Sequence, residues 1–264
     1  MSFAPAAGTP AATTIHTDTQ GLAQGDFELP VPGGTQQAYY AAPEGVQGAP
    51  VVLVVQEIFG VHEHIKDVCR RLAKAGYFAV ASNLYQRQGD ASTYTDIPTL
   101  VADIVAKVPD EQVYADLDAA VAWAAAQGAD VARLGITGFC WGGRITWMYA
   151  AHNPKVKAGV AWYGKLASGH GPLIKSVAFD VAGQLHGPVL GLYGAQDHSI
   201  PVEDVRTMEA KLAAGNAASK ASSFVVYPDS GHAFLADYRP SYNAADAKDG
   251  WARMLAWFER YLKG

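Results

Sequence analysis

The stretch ITGFCWGGRITW, residues 136–147, changes abruptly from a short apolar run to a helical pattern. Within it Gly138, Cys140 and Gly142 form the pattern G-x-C-x-G, so a cysteine lies at the turn between the predicted strand and helix. The first turn of a helix presents free backbone N–H groups and the positive end of the helix dipole, which favour a thiolate. The stretch predicts a nucleophilic cysteine, although the pentapeptide alone is equally compatible with a small buried thiol.

The rest of the chain repeats this change from strand to helix. The run VVLVV, residues 51–55, is apolar on both faces and predicts a central parallel strand, and a helical pattern follows at residues 63–76. DFELPV and QQAYYAAP flank Pro32-Gly33-Gly34 and predict an N-terminal β-hairpin. The repeated units predict one α/β domain over residues 26–264, with a mostly parallel central sheet and helices on both faces. Residues 1–25, rich in Ala, Thr, Gly and Pro, are expected to form a loosely ordered arm.

Composition and charge exclude several functions for these 264 residues. The net charge is -5, and the Lys and Arg residues are scattered, which argues against nucleic-acid binding. No apolar run approaches the roughly 20 residues that span a bilayer, so no membrane partner is predicted. Two cysteines and the absence of a secretory signal favour reduced thiols in the cytoplasm. We expect a monomer or small homo-oligomer without a cofactor, since no phosphate-binding glycine loop is found.

Two residues downstream of Cys140 complete a candidate catalytic triad. Asp197 follows the predicted strand in VLGLYGAQD, and His232 follows the last predicted strand in FVVYPDSGH. Nucleophile, acid and histidine occur in this order, each after a strand, in the α/β-hydrolase fold, where G-x-S-x-G forms the nucleophile turn. Either residue alone is also compatible with an ordinary loop position. Together they predict that His232 takes the thiol proton and that Asp197 orients the imidazole.

The backbone N–H groups of Ile58 and Trp141 are the predicted oxyanion hole, because they follow the first central strand and the nucleophile. His62 and His64 have H-x-H spacing, but residues two apart on a helix point about 200° away from each other. We therefore predict no metal site there. Trp162 and Tyr163 end a predicted strand on the same edge as the triad, and Tyr163 is a candidate for lining the pocket.

The segments VVQEIFGVHEHIKDVCRRLAKAGY, NLYQRQG, GITGFCWGG, LYGAQD and GHAF together resemble the dienelactone hydrolase (carboxymethylenebutenolidase) family, from about residue 26 to the end. The resemblance implies that Glu57 lies beside the resting nucleophile and that Arg87 holds a substrate carboxylate. Hydrogen bonding of Glu57 to nearby loop amides, and a solvated surface role for Arg87, are the alternatives.

The chain departs from the family pattern after the catalytic histidine. Ala233 and Ala236 stand where the family has Ser and Arg, so one carboxylate-binding arginine is missing, although Arg239 lies three residues on. This puts dienelactone itself in doubt as the substrate. We expect a hydrolase of lactones or activated small carboxylic esters that forms a thioester. A non-catalytic small-molecule binding protein and an acyltransferase are the alternatives. The place of Cys69 in a helical apolar pattern favours packing.

Overall fold

The computed structural model describes residues 3–264 and contains an eight-stranded sheet within them. The strand order is β1-β2-β4-β3-β5-β6-β7-β8. The β1–β2 and β2–β4 pairs are antiparallel, and every other neighbouring pair is parallel. The strands are β1 Leu22–Val31, β2 Gly34–Pro43, β3 Pro50–Val55, β4 Phe78–Ser82, β5 Asp130–Phe139, β6 Val156–Trp162, β7 Val189–Gly194 and β8 Ser223–Tyr227.

Helices cover both faces of this sheet. A Cβ atom on Gly138 of β5 would meet Thr146, whereas one on Gly135 of the same strand would meet Phe258. Positions three apart on a strand face opposite sides, so the helices that carry Thr146 and Phe258 lie on opposite faces. The α-helices are α1 Glu63–Lys74, α2 Ile97–Asp103, α3 Asp110–Ala126, α4 Trp141–His152, α5 Ala178–Val181, α6 Val202–Ala213, α7 Ala217–Lys220 and α8 Ala244–Phe258.

The predicted mostly parallel sheet, its two helical layers and the N-terminal hairpin are confirmed. In the hairpin β1 and β2 pair from Leu22↔Pro43 to Val31↔Gly34. The strands β3 and β7 are fully buried, and β6 is buried except at Lys157, as expected for parallel strands covered on both faces.

The N-terminal segment differs from the expected loose arm of residues 1–25. Strand β1 already begins at Leu22, and Ala4 is fully buried. The Ala11 N–H donates to the Tyr238 carbonyl oxygen at 2.9 Å. Small side chains allow the backbone to pack closely and to form such bonds, so this composition does not produce a loose arm in residues 3–25. Residues 1 and 2 of the predicted arm lie outside the described part of the chain.

The parallel strands bring their carboxyl ends to one edge of the sheet, where Cys140, Tyr163, Asp197 and His232 follow β5, β6, β7 and β8. Ligands of open α/β sheets bind at this edge. Among residues 3–264 no helix has the length and apolar character needed to cross a membrane.

Candidate active site

The Cys140 turn is strained and closely packed. Cys140 immediately precedes α4 and has φ 56° and ψ −113°, a conformation that side chains with a Cβ atom rarely adopt. A Cβ atom on Gly142 would lie 2.5 Å from the carbonyl oxygens of Val55 and Gln56, and one on Gly138 would lie 2.1 Å from the Gly142 oxygen. Glycine is required at position 142 because the turn is pressed against the end of β3, and at position 138 because the start of α4 packs closely against β5.

His232 and Asp197 form a short hydrogen bond. His232 Nδ1 lies 2.6 Å from Asp197 Oδ2, and Asp197 Oδ1 accepts hydrogen bonds from the backbone N–H and hydroxyl of Ser199 at 2.8 and 2.6 Å. Burial opposes the charge of Asp197, but the bonds from His232 and Ser199 outweigh it and lower the pKa of the carboxyl. Asp197 is therefore an anion, and its contact with Nδ1 fixes the orientation of the imidazole ring.

The charges around His232 favour its protonated form. Burial alone would lower its pKa, but the negative charge of a Cys140 thiolate and the bond to Asp197 raise the pKa of His232 to about 10. The site therefore favours an imidazolium at His232 at neutral pH.

Cys140 and His232 face the same cavity of about 240 Å³, slightly smaller than typical small-molecule pockets of roughly 300–1,000 Å³. The cavity wall combines apolar side chains with cationic and polar groups. The apolar lining residues are Ile58, Phe59, Ile97, Val101 and Trp141, and the polar ones besides Cys140 and His232 are Glu57, Arg144, Tyr163, Lys165, His170, Ser199 and Arg239.

The two residues of the predicted oxyanion hole both line this cavity. Trp141 is the first residue of α4, where backbone N–H groups have no acceptor within the helix. Ile58 lies on the loop after β3, against which the Cys140 turn is packed. The position of both residues in the cavity wall is compatible with the predicted oxyanion hole, which stays a prediction.

Glu57 is a buried carboxylate held by one of its oxygens. Oε2 accepts a hydrogen bond from the Tyr238 hydroxyl at 2.7 Å and lies 3.2 Å from His62 Nε2. Burial opposes the charge, but these contacts and the nearby His64 lower the pKa of Glu57 to about 2. Burial lowers the pKa of His62, which indicates a neutral imidazole that donates from Nε2. The alternative of loop amides as partners of Glu57 is not seen.

The other histidine of the H-x-H pair has its own carboxylate. His64 Nδ1 lies 3.2 Å from Asp237 Oδ1, and Arg71 donates to the second oxygen of Asp237. His62 and His64 therefore bind separate carboxylates. The contact between His64 and Asp237 ties the start of α1 to the loop that follows His232. Among residues 3–264 no group of His, Cys, Asp and Glu has an arrangement suited to a metal ion.

Arg87 does not line the cavity, so its predicted contact with a substrate carboxylate is not found in the structure. Its Nη2 donates to both carboxylate oxygens of Asp116 on α3 at 2.6 Å. The Asp116 side chain is fully buried, and an unpaired charge there would be costly. Arg87 is thus an exposed residue held by this carboxylate, and it is not a pocket residue.

Four cationic or polar lining residues were not predicted from the sequence, namely Arg144, Lys165, His170 and Ser199. Arg144 lies four residues after Cys140 on α4, a spacing that returns to the same helix face and could have indicated it. Its guanidinium binds Asp110 at 2.8 and 2.7 Å. Lys165 and His170 lie in the connection after β6, where no periodic pattern marks them. Burial beside Lys165 and Arg144 lowers the pKa of His170 to about 4, so His170 is neutral at pH 7.

The structure also shows the surroundings of Ala233 and Ala236, the positions that depart from the family pattern. Ala233 and Ala236 are buried, and Ala233 has φ 61°. Arg239 lines the cavity, with its guanidinium 5.5 Å from the centre of the Phe59 ring. Cys69 is fully buried in α1, in agreement with a packing role. Burial raises the pKa of its thiol.

Comparison with known proteins agrees with this architecture. The family model described as "Dienelactone hydrolase family" matches residues 36–262. A protein of Methylorubrum extorquens is 60% identical over 252 residues, which cover 95% of this chain and 86% of that protein. One of Salmonella typhimurium is 58% identical over 260 residues, which cover 98% and 95%. Both carry the name "Putative carboxymethylenebutenolidase".

A solved structure has the same fold. The Klebsiella pneumoniae crystal structure described as "Putative Dienelactone Hydrolase" has a TM-score of 0.87 and 56% identity, and the match covers 91% of this chain and 99% of that one. These matches confirm the predicted α/β-hydrolase fold and hydrolase class. The chain therefore belongs to the dienelactone hydrolase family.

Proposed function

We propose that the protein hydrolyses lactones or activated small carboxylic esters through a Cys140–His232–Asp197 triad. The observation that carries the proposal is the strained Cys140 turn at the cavity wall, opposite a histidine fixed by Asp197 at 2.6 Å. A pure binding protein has no need for all three groups. The cytoplasmic location and the monomer or small homo-oligomer stay proposals.

The first half of the reaction forms a thioester. The Cys140 thiolate attacks the acyl carbon, and the carbonyl oxygen becomes an oxyanion within reach of the Ile58 and Trp141 N–H groups. The carbon–oxygen bond then breaks, and the His232 imidazolium gives its proton to the leaving oxygen. Asp197 stabilises the imidazolium before this transfer and orients the neutral imidazole after it.

The second half releases the acid. His232, now neutral, takes a proton from water as the water attacks the thioester carbonyl. The second tetrahedral intermediate collapses, the carbon–sulfur bond breaks, and Cys140 returns as the thiolate beside a protonated His232. Because a thiolate leaves a tetrahedral intermediate more easily than an alkoxide does, the site favours esters with good leaving groups. Enol lactones and aryl esters have such leaving groups.

The charges in the cavity favour a substrate with an acidic substituent. Arg144 is neutralised by Asp110, but Lys165 and Arg239 have no carboxylate partner within residues 3–264. A substrate carboxylate would supply that charge. Lys165→Met should raise KM for an ester with a carboxylate on the acyl group about 10-fold, while KM for a neutral ester changes little. Arg87→Met is the matched control, because Arg87 lies outside the cavity; the same change in KM there would contradict this assignment.

The central test compares turnover of an aryl acetate by the wild type and Cys140→Ala. We expect turnover by the wild type only, and a thioester on Cys140 detectable by mass spectrometry after rapid acid quenching. Equal turnover by both proteins would refute the mechanism, and binding without product would support the alternative of a binding protein. Added alcohols or thiols that become acylated at the expense of free acid would instead support acyl transfer.

A further inference from the structure

Tyr163 has an unusual backbone conformation directly beside the Cys140 turn. It follows β6 and has φ 38°, in the left-handed region that favours glycine. Neighbouring backbone forces this path, because Cβ atoms on Gly143 and Gly164 would lie only 2.4 and 2.2 Å from backbone atoms across the contact. The close approach of β6 to α4 therefore fixes Tyr163 in a strained conformation.

The Tyr163 side chain is fully buried, yet its hydroxyl has no hydrogen-bond partner within residues 3–264. Two other buried tyrosines near the site have partners, whereas the hydroxyl of Tyr85, whose ring lies 4.9 Å from that of Trp141, also lacks one. The Tyr193 hydroxyl bonds to the Gly164 carbonyl at 2.8 Å, and the Tyr238 hydroxyl bonds to Glu57 at 2.7 Å. An unsatisfied buried hydroxyl costs stability, so its retention requires another explanation.

The cavity supplies that explanation. Tyr163 lines the same cavity as Cys140 and His232, and its ring lies 5.3 Å from the His232 ring. Burial, together with the negative charges of Glu57 and of a Cys140 thiolate, raises the pKa of Tyr163 well above its ordinary value. The hydroxyl therefore keeps its proton at any working pH, and the residue that carries it forms part of the wall of the cavity shared by Cys140 and His232.

We infer that Tyr163 is a catalytic hydrogen-bond donor, whose hydroxyl binds the leaving oxygen of the substrate as the bond to the acyl carbon breaks. This inference rests on the proposed function, since it takes Cys140 as the nucleophile. During thioester formation the Sγ–carbon bond forms, and the carbon–oxygen bond breaks with its electron pair on the leaving oxygen. The proton on that oxygen comes from His232, and Tyr163 keeps its own. Because the N–H groups of Ile58 and Trp141 donate to the carbonyl oxygen, the Tyr163 hydroxyl donates to the other oxygen of the ester.

The test measures how strongly the rate depends on the leaving group. The kcat/KM values of wild type and Tyr163→Phe are compared for para-nitrophenyl acetate and phenyl acetate, since kcat/KM reports thioester formation. A hydrogen bond to a charged oxygen predicts a loss of about 10- to 100-fold for phenyl acetate. The loss should be several times smaller for the nitrophenyl ester, whose leaving oxygen carries less charge. Thermal unfolding of Tyr163→Phe should match or exceed that of the wild type, because no protein hydrogen bond is removed.

Tyr149→Phe is the matched control. The Tyr149 hydroxyl binds Asp118 at 2.6 Å and lies outside the cavity. Its removal should lower the unfolding temperature and leave the leaving-group dependence unchanged, which is the opposite pattern. Equal losses on both esters, or no loss, with an active wild type would overturn the role of Tyr163 alone. A wild type inactive on both esters would refute the proposed function, and this inference with it.

Discussion

Replacing Glu57 by glutamine should change how the stability of the protein depends on pH. Burial works against the Glu57 charge, but the contacts with His62 and Tyr238 lower the pKa from 4.5 to about 2. Because the carboxyl is more acidic in the folded protein than in the unfolded chain, its charge contributes full stabilisation above pH 4.5. That contribution is lost as the pH falls from 4.5 towards 2.

The size of this effect follows from the two pKa values. At about 1.4 kcal/mol per pKa unit, the gap between 4.5 and about 2 corresponds to about 3.5 kcal/mol. Linkage assigns about 2 kcal/mol of that loss to the interval between about pH 7 and about pH 3. Urea unfolding of the wild type and Glu57→Gln across this interval should show their free energies of unfolding converging by that amount.

Asp116→Asn provides the matched control with the opposite sign. Burial raises the pKa of Asp116 by more than Arg87 lowers it. The wild type should therefore gain stability relative to Asp116→Asn as the pH falls. If the difference for Glu57→Gln stays constant, or grows towards low pH, then Glu57 is not held as an anion and the reasoning about its two donors is wrong.

Three further predictions concern the Cys140 turn, the histidine and the second thiol. Gly142→Ala places a Cβ atom 2.5 Å from two carbonyl oxygens and should lower the free energy of unfolding, measured with urea, by about 1–3 kcal/mol or more. Gly25→Ala is the control: its Cβ atom would have no atom within 4 Å, so the free energy of unfolding should change little. Asp197→Asn should bring the pKa of His232 below about 10, which NMR titration of the imidazole measures; an unchanged pKa would show that Asp197 does not support the charge. Iodoacetamide should alkylate only Cys140 in the folded protein, and Cys69 should react only after unfolding, as peptide mass spectrometry would detect; labelling of folded Cys69 would contradict its burial.

The positions of Cys140, Asp197 and His232 at one edge of the sheet could be predicted from the sequence because each depends on local constraints. Cys140 lies between glycines that the packing of the turn requires. Asp197 and His232 come shortly after the apolar strands β7 and β8, and parallel strands deliver such residues to one edge. The pattern of apolar runs therefore carries information about the site as well as about the fold.

The position of Arg87 could not be predicted in this way. Its partner Asp116 lies 29 residues further along the chain, on a helix whose orientation depends on packing against the sheet. Lys165 and His170 lie in a connection without periodicity, so only the tertiary structure brings them to the cavity. The N-terminal arm fails for a related reason, because a composition rich in alanine and glycine is compatible with disorder and with close packing alike.

The donors of Glu57 link these observations to the charge of the cavity. A buried carboxylate needs donors. Tyr238 lies on the loop that follows His232 and gives Glu57 a neutral donor, while His62 gives another from the loop before α1. Because both donors are uncharged when Glu57 is ionised, they leave a net negative charge on this side of the cavity. Glu57 therefore does not neutralise Lys165 or Arg239, since neither forms an ion pair with it. Their charge remains available to an acidic substrate.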